Sequence, residues 1–158
     1  SRISDTSISR SKIDLTALMK MILGETNIYA EIPWVETRVE DGLTVNADKP
    51  LVSVMLRILL NNAMDLLQKN CNGCIRLCKH NGEDDAFCLS IEGLDQSASA
   101  DSEPFIPLYE PGLARGGKSS GVDLLSVTRI VGLHGGRIWK DSEEKDDLYR
   151  VFFTLEPQ

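Results

Sequence analysis

Residues 51–68, LVSVMLRILLNNAMDLLQ, constrain the fold more than any other stretch of the chain. Their apolar side chains recur every three or four residues, which predicts a long amphipathic helix with one side on the core. The stripe consists of Leu51, Val54, Met55, Ile58, Leu59, Ala63, Leu66 and Leu67. Asn62 follows Ile58 by one helical turn, so a carboxamide stands within the apolar side. Because a buried amide is unfavourable without a hydrogen-bond partner, we expect Asn62 to have a specific one.

Length and composition predict a single soluble globular domain. The chain has 158 residues, of which 42% are hydrophobic and 26% charged, as is typical of a domain with a substantial core. No run approaches the roughly 20 apolar residues of a membrane span, so we expect no membrane contact. The net charge of −7 argues against nucleic acid as a partner, since phosphate backbones need a basic surface.

The N-terminal sequence SRISDTSISRSK does not begin with Met and lacks the apolar core of a signal peptide. We interpret the chain as a piece of a longer protein. Residues 1–12 are predicted to be a linker or the end of a preceding helix, and residues 13–158 the folded domain.

Four cysteines, Cys71, Cys74, Cys78 and Cys88, lie close together in the sequence. Their spacing is compatible with a metal site. However, Cys74 and Cys78 would lie about 13 Å apart along one face of a strand, too far to share a zinc ion. A hairpin turn at residues 81–82 would instead place Cys78 beside Cys88. We therefore favour reduced, structural thiols of a cytoplasmic protein, with a metal site as the minor alternative.

The first half of the chain reads as helix, strand, strand, helix. A short helix is predicted to open at residues 13–14. A strand follows at residues 28–39, and its Pro33 favours an edge position. Residues 43–46 form a short strand, after which Asp48 can cap the central helix.

The second half reads as hairpin, loop, helix, hairpin. Strands are predicted at residues 74–79 and 86–91, the latter with one buried face. The long segment 93–120 is irregular, with a hydrophobic cluster at 105–109, and such loops are usually functional or mobile. Ser119 or Ser120 then caps a helix that ends at residues 134–136, and residues 137–140 pair with 148–155. Together these elements predict an α+β two-layer sandwich.

This order resembles the ATP-binding domain of histidine kinases, in the superfamily of gyrase, Hsp90-type chaperones, histidine kinases and mismatch-repair ATPases. The resemblance rests on VNADKPLVSVMLRILLNNA at 45–63, FIPLY at 105–109 and SGVDLLSVTRIVGLHGGRIW at 120–139. It implies a Bergerat-type two-layer sandwich, with about three helices on one face of a mixed, mostly antiparallel sheet.

The resemblance also implies ATP and Mg²⁺ as cofactors. Asn62 matches the family's magnesium ligand, and its amide oxygen is a hard, neutral ligand suited to that ion. The family places a second Asn or Glu one turn earlier, an Asp against adenine after a buried strand, and a glycine box at a helix N-terminus around the phosphates. Glycines and helix N-termini suit phosphate because the backbone N–H groups can approach it closely.

Three departures from the family pattern fall on this chemistry. Ile58 stands where the second Asn or Glu is expected, and it cannot ligate an ion. Gly93 stands at the adenine Asp position, with Asp95 the nearest carboxylate. Ser119, Gly121 and Asp123 occupy the three positions of the second glycine box.

Asp123 is expected to place a negative charge in the first helical turn, near any bound phosphate. At 4 Å and an effective dielectric of about 20, each unit of repulsion is worth about 4 kcal/mol. The attraction of the helix dipole, about 0.3–2 kcal/mol, is smaller.

The candidate cofactor-binding residues that remain are polar, cationic or glycine positions on the central helix, the adenine segment and the lid-like segment. They are Asn61, Asn62, Asp65, Asp95, Arg115, Gly117, Lys118, Ser119, Ser120 and Gly121, with Asn62 as metal ligand and no catalytic residue. The alternative for each is a solvated surface, and for Asn62 an amide satisfied by a backbone carbonyl.

Neither histidine fits a phosphoacceptor, because His80 lies in a hairpin turn and His134 at a helix end. Both are predicted to be structural. A phosphoacceptor histidine would lie on an upstream helical dimerisation domain, which the family uses as its partner.

Two hypotheses follow. The favoured one is a degenerate domain of a two-component signalling protein that binds ATP weakly or not at all. It would regulate a partner kinase, dock a response regulator or serve in a phosphorelay. The alternative is an active catalytic domain that transfers the γ-phosphate of ATP to histidine. We favour degeneracy because the departures affect adenine, magnesium and phosphate contacts together.

Overall fold

The computed structural model describes residues 8–67, 73–80, 85–92, 119–140 and 148–156, with only the backbone described at 119–124 and 148. Within these ranges the chain forms seven strands, three long helices and one single-turn helix. In order they are β1 (Ser11–Asp14), α1 (Leu15–Glu25), α2 (Ile28–Glu31), β2 (Val35–Val39), β3 (Thr44–Ala47), α3 (Lys49–Leu67), β4 (Gly73–Lys79), β5 (Ala86–Glu92), α4 (Ser119–Leu133), β6 (Ile138–Lys140) and β7 (Leu148–Thr154).

The strands form two sheets. A five-stranded sheet has the order β2-β4-β5-β7-β6, and a two-stranded sheet pairs β1 with β3. In the larger sheet β2 and β4 are parallel and every other pair is antiparallel. This mixed, mostly antiparallel sheet with helices confirms the predicted α+β class. The edge position predicted for the strand containing Val35–Val39 is also confirmed.

One continuous apolar core joins the inner face of the five-stranded sheet to the long helices. The sheet contributes alternate residues of its central strands, such as Phe87 and Leu89 from β5 and Phe153 from β7. Removing this apolar surface from water is the main favourable term in folding.

The central helix α3 spans Lys49–Leu67 and buries the side that carries Met55, Leu59 and Ala63. This confirms the helix predicted at 51–68. By length and composition α3 is able to cross a membrane, but half of that stretch is buried inside the fold. Its N-terminus is capped as expected, because the Asp48 carboxylate accepts a hydrogen bond from Leu51 N–H at 3.2 Å.

The N-terminal segment joins the fold earlier than expected. Ser11 and Lys12, placed in the predicted linker, pair with Ala47 and Asn46 in the small sheet. The expected boundary at residue 13 therefore falls inside β1. Residues 1–7 of the predicted linker lie outside the described residues.

Two further expectations are corrected. Residues 28–31 form the helical turn α2 instead of a strand, because Asn27 adopts a left-handed φ of 58° and Ile32 N–H bonds Ile28 C=O at 2.8 Å. Strand β5 is buried on both faces, because it is central in the sheet and its outer residue Cys88 lies opposite Phe152.

The turn after α4 requires both of its glycines. Gly135 has a φ of 77°, which side chains disfavour. A Cβ added to Gly136 would lie 2.0 Å from the Thr154 carbonyl oxygen, far closer than van der Waals contact. The backbone of this turn therefore packs directly on β7, and the predicted helix end at 134–136 is confirmed.

Candidate functional site

Asn62 lies in the buried side of α3, as its position in the sequence predicts. Its side chain is 3% exposed, and its Nδ2 donates a hydrogen bond to the Ile58 carbonyl oxygen at 2.9 Å. The amide nitrogen is thus satisfied within the helix, which explains how the carboxamide is tolerated in an apolar side. The amide oxygen, the atom that could ligate a cation, is not used in that bond.

The side chain one turn before Asn62 offers no ligand. Ile58 is partly buried and packs against the core. Magnesium requires near-octahedral oxygen coordination, whereas Asn62 and Ile58 together supply one amide oxygen and an aliphatic surface. In the described part of the chain, this pair does not make a magnesium site by itself.

Asn61 and Asp65 face a different side of α3 from Asn62. Both are exposed, and together with Met64 they line a cavity of about 180 Å³ whose other wall is Glu31 and Ile32. Two carboxylates thus border the cavity. This charge disfavours a phosphate group there and is compatible with a cation or an amine.

The N-terminus of α4 contains three of the expected phosphate contacts. Ser119, Ser120 and Gly121 are its first three residues, so their N–H groups belong to the first turn, where α-helices leave donors without an intrahelical acceptor. The expectation that Ser119 or Ser120 is the cap is corrected, because both are already helical.

Asp123 is the fifth residue of α4, and the first turn holds no acidic residue. The predicted first-turn charge is therefore wrong. The repulsion between the Asp123 carboxylate and a bound phosphate stays a prediction, because only the backbone of this residue is described.

Four other candidates, Asp95, Arg115, Gly117 and Lys118, lie outside the described residues, as does the hydrophobic cluster at 105–109. They stay predictions. The described site therefore consists of Asn62 on α3 and the backbone of the first turn of α4, on two helices that pack against each other.

His134, the histidine of the LHGG segment, is in the environment of a structural residue, buried and hydrogen-bonded on both sides. His134 is fully buried. Its Nδ1 donates to the Ile130 carbonyl at 2.8 Å, and its Nε2 accepts from Asp48 N–H at 3.0 Å. This assignment follows because Ile130 offers an acceptor and Asp48 a donor. A neutral imidazole with both ring nitrogens engaged is not available for phosphotransfer.

Arg10 completes this junction, and sequence reasoning did not identify it. Its guanidinium donates to the carbonyl oxygens of Asn46 at 2.8 Å, His134 at 2.8 Å and Leu155 at 3.2 Å. Ser9 N–H also donates to the Asp48 carboxylate at 2.9 Å. The segment before β1 thereby binds both the start of α3 and the end of α4.

The outer face of the five-stranded sheet carries the described cysteines. Cys78 lies directly opposite Cys88, as the predicted hairpin requires. Cys74 is opposite Glu92.

Burial raises the pKa of both half-buried thiols, Cys74 and Cys78. A nearby carboxylate raises each pKa further, Glu36 that of Cys74 and Glu40 that of Cys78. The positive charge of Arg76 lowers both pKa values. No cluster of three potential metal ligands occurs among the described residues.

Comparison with solved structures identifies the class of fold. The catalytic domain of histidine kinase ThkA, in a nucleotide-free form, has 18% identity and a TM-score of 0.66, covering 95% of this chain and 98% of that one. The mycobacterial sensor histidine kinase MprB has 17% identity and a TM-score of 0.62, covering 95% and 100%. The cytoplasmic segment of histidine kinase QseC has 16% identity and a TM-score of 0.60, covering 98% and 82%.

No protein-family profile and no curated protein sequence matches the chain. The structural likenesses extend over nearly the whole chain, and they confirm the fold predicted from the sequence. The chain has the fold of the histidine kinase catalytic domain. What it binds is argued from its own residues.

Proposed function

We propose that this chain is a histidine kinase-like domain of a two-component signalling protein in which binding of ATP and Mg²⁺ is weak or absent. It acts through protein contact or in a phosphorelay, inside the cytoplasm. The observation that carries the proposal is the pair Ile58 and Asn62, in which one of two expected polar side chains is replaced by a core-packing aliphatic one.

The physical argument concerns coordination. Magnesium loses its bound waters reluctantly, and at phosphate sites it would be held by one or two protein carboxylates together with the phosphates of the substrate. Asn62 can offer one neutral oxygen, and Ile58 offers none. The carboxylates of Glu31 and Asp65 line the neighbouring cavity, so the charge beside α3 does not assist a triphosphate.

A second candidate is an active, ATP-dependent histidine kinase catalytic domain. Two observations favour it. The Asn62 amide is oriented by its bond to Ile58 C=O, which leaves the oxygen for a ligand. The first turn of α4 is free of acidic residues, so its N–H groups are suited to an anion.

Either function requires partners of the kind that the resemblance to histidine kinases implies. For the active domain, the acceptor is a histidine on an upstream helical dimerisation domain. For the degenerate domain, the binding partner is a response regulator or another kinase. Measuring nucleotide binding separates the two directly.

Isothermal titration calorimetry with Mg-ATP and with a non-hydrolysable analogue tests the proposal. We expect no heat of binding up to millimolar nucleotide. Micromolar binding that Asn62→Ala abolishes would contradict the proposal and leave the active alternative.

Ser53→Ala is the matched control for Asn62→Ala. Ser53 lies on the same helix, and its hydroxyl makes one local bond to Lys49 C=O at 2.9 Å. If nucleotide binds, Ser53→Ala must leave the affinity unchanged. Thermal unfolding of both variants excludes loss of the fold as the cause.

A further inference from the structure

Two thiols face each other across the β4–β5 hairpin on the outer side of the sheet. Cys78 in β4 and Cys88 in β5 are directly opposed residues of an antiparallel pair, and their side chains are hydrogen-bonded to each other. Neither is part of a disulfide. The candidate nucleotide site uses neither residue, so their juxtaposition has no role in the function proposed above.

The backbone pairing sets the distance between them. His80 N–H donates to Ala86 C=O at 2.9 Å, which makes His80 and Ala86 a hydrogen-bonded pair. Such pairs alternate along an antiparallel ladder, so Cys78 and Cys88 form the next one, with Cα atoms about 5.5 Å apart. That separation lies inside the range of about 4.4–6.8 Å that disulfides require.

We propose that Cys78 and Cys88 are a reversible modification site, at which a peroxide converts the two thiols into an intramolecular disulfide. This inference goes beyond the proposed function and does not depend on it, because the reaction involves no nucleotide.

The exposures of the two cysteine residues assign the order of events. Cys78 is half-buried, whereas Cys88 is 6% exposed and flanked by Phe152 on the neighbouring strand. The Cys78 thiolate attacks one peroxide oxygen, the O–O bond breaks, and a sulfenic acid and one molecule of water or alcohol form. The Cys88 thiol then attacks the sulfenic sulfur, forming the S–S bond and releasing a second water. Two electrons pass from the sulfurs to the peroxide.

The same geometry makes the bond reversible. Cβ atoms of hydrogen-bonded cross-strand pairs lie near 5.5 Å, whereas a relaxed disulfide holds them at about 3.5–4.5 Å. The two strands must therefore draw together by about 1 Å, and a disulfide strained in this way is readily reduced. A dithiol reductant restores both thiols by exchange and becomes the cyclic disulfide.

Cys74 is excluded as a disulfide partner of either Cys78 or Cys88 by its position. It lies four residues from Cys78 along β4, about 13 Å away, and its cross-strand neighbour is Glu92. A variant that retains Cys74 and Cys88 is therefore a matched control with the same number of thiols.

The test uses two double variants of the full chain. Cys71→Ser with Cys74→Ser retains Cys78 and Cys88, and Cys71→Ser with Cys78→Ser retains Cys74 and Cys88. Each protein is treated with hydrogen peroxide, quenched with catalase, unfolded and alkylated with N-ethylmaleimide before intact-mass measurement.

We expect the first variant to lose both alkylatable thiols together with the mass of two hydrogens, to remain a monomer, and to recover both thiols with dithiothreitol. The control should form no such internal bond. The proposal is overturned if the first variant keeps its thiols or pairs only between molecules, or if the control closes equally well. Peptide mapping of the oxidised native chain must also find the Cys78–Cys88 link, and a link to Cys71 instead would equally contradict it.

Discussion

The imidazole Nε2 of His134 accepts a hydrogen bond from the backbone N–H of Asp48 at 3.0 Å. This bond joins the end of α4 to the start of α3, across 86 residues of sequence. The other ring nitrogen is fixed by Ile130 C=O. One buried side chain therefore sets how the two helices that frame the candidate site meet.

Replacement of His134 by Ala is expected to destabilise the fold by about 2–4 kcal/mol. The substitution leaves Asp48 N–H buried without its acceptor and opens a cavity where the ring was. Urea unfolding followed by circular dichroism measures the change in the free energy of unfolding.

His80→Ala is the control for this prediction. The His80 ring is half-buried and packs on Phe152 with ring centroids 4.6 Å apart, so its loss should cost about 1 kcal/mol or less. Equal effects of the two substitutions would show that the buried hydrogen bonds of His134 contribute nothing.

Removal of the Arg10 guanidinium should destabilise the domain by about 1–3 kcal/mol, because three carbonyl oxygens lose a charged donor. Arg10→Lys should recover less than half, since an ammonium group lacks the planar fork. The exposed Lys12 lies on the same segment, and Lys12→Ala should stay within about 0.5 kcal/mol of the native chain. Thermal unfolding ranks the three variants, and an Arg10→Ala value as small as that of Lys12→Ala would refute the role assigned to Arg10.

Two glycines near the end of α4 should respond to alanine in opposite directions. At Gly136 a Cβ would lie 2.0 Å from Thr154 C=O, so Gly136→Ala must shift backbone and should cost at least about 2 kcal/mol. At Gly132, inside the helix, a Cβ meets nothing within 4 Å, so Gly132→Ala should stabilise by about 0.5–1 kcal/mol. Denaturant midpoints measured on both proteins decide the matter, and a tolerated Gly136→Ala would be inconsistent with the packing of this turn on β7.

The thiols of Cys74 and Cys78 should react slowly at neutral pH, so the reaction of Cys78 with peroxide should also become faster as the pH rises. Burial raises the pKa of each above the ordinary value of 9.0, and only the thiolate is nucleophilic. Their rate of alkylation should therefore keep increasing beyond pH 9.0, whereas in the urea-unfolded chain it levels off earlier. Since the folded pKa is the higher one, the associated stability is present below the unfolded pKa and is lost as the pH rises through the folded value.

The test is the rate of reaction with a thiol reagent as a function of pH, in a variant lacking Cys71. If the rate in the folded protein levels off at the same pH as in the unfolded chain, or at a lower one, the assigned shifts are contradicted.

Local periodicity predicted those parts of the fold that depend on neighbouring residues. The spacing of apolar residues identified α3, and the alternation at residues 86–91 identified β5. Residues 28–31 were mistaken for strand because their composition suits either state. The left-handed φ of Asn27 that starts the turn depends on packing. Strand β1 was missed because Ser11 and Lys12 are polar, and only their pairing with β3 makes them extended.

In the candidate site too, the sequence predicts features that depend on neighbouring residues but not contacts between residues far apart in the chain. The burial of Asn62 follows from its place in the helix. A hydrogen bond to a backbone carbonyl is one of the alternatives that the sequence leaves open, and the structure identifies that carbonyl as the one of Ile58. The bond between His134 and Asp48 joins residues far apart in sequence, so no local pattern could reveal it. Likewise, the alternation at residues 86–91 predicts one buried face, whereas Cys88 on the other face is also buried, opposite Phe152 of the neighbouring strand β7.

The bonds of Arg10 also bring the two ends of the described fold together. Its guanidinium contacts Leu155 C=O, and Asn46 N–H donates to the Glu156 carboxylate at 3.2 Å. A short peptide could therefore bridge the segments that enter and leave the domain. Such a unit can be grafted into the surface loop of a host protein, or circularly permuted, without stretching its framework.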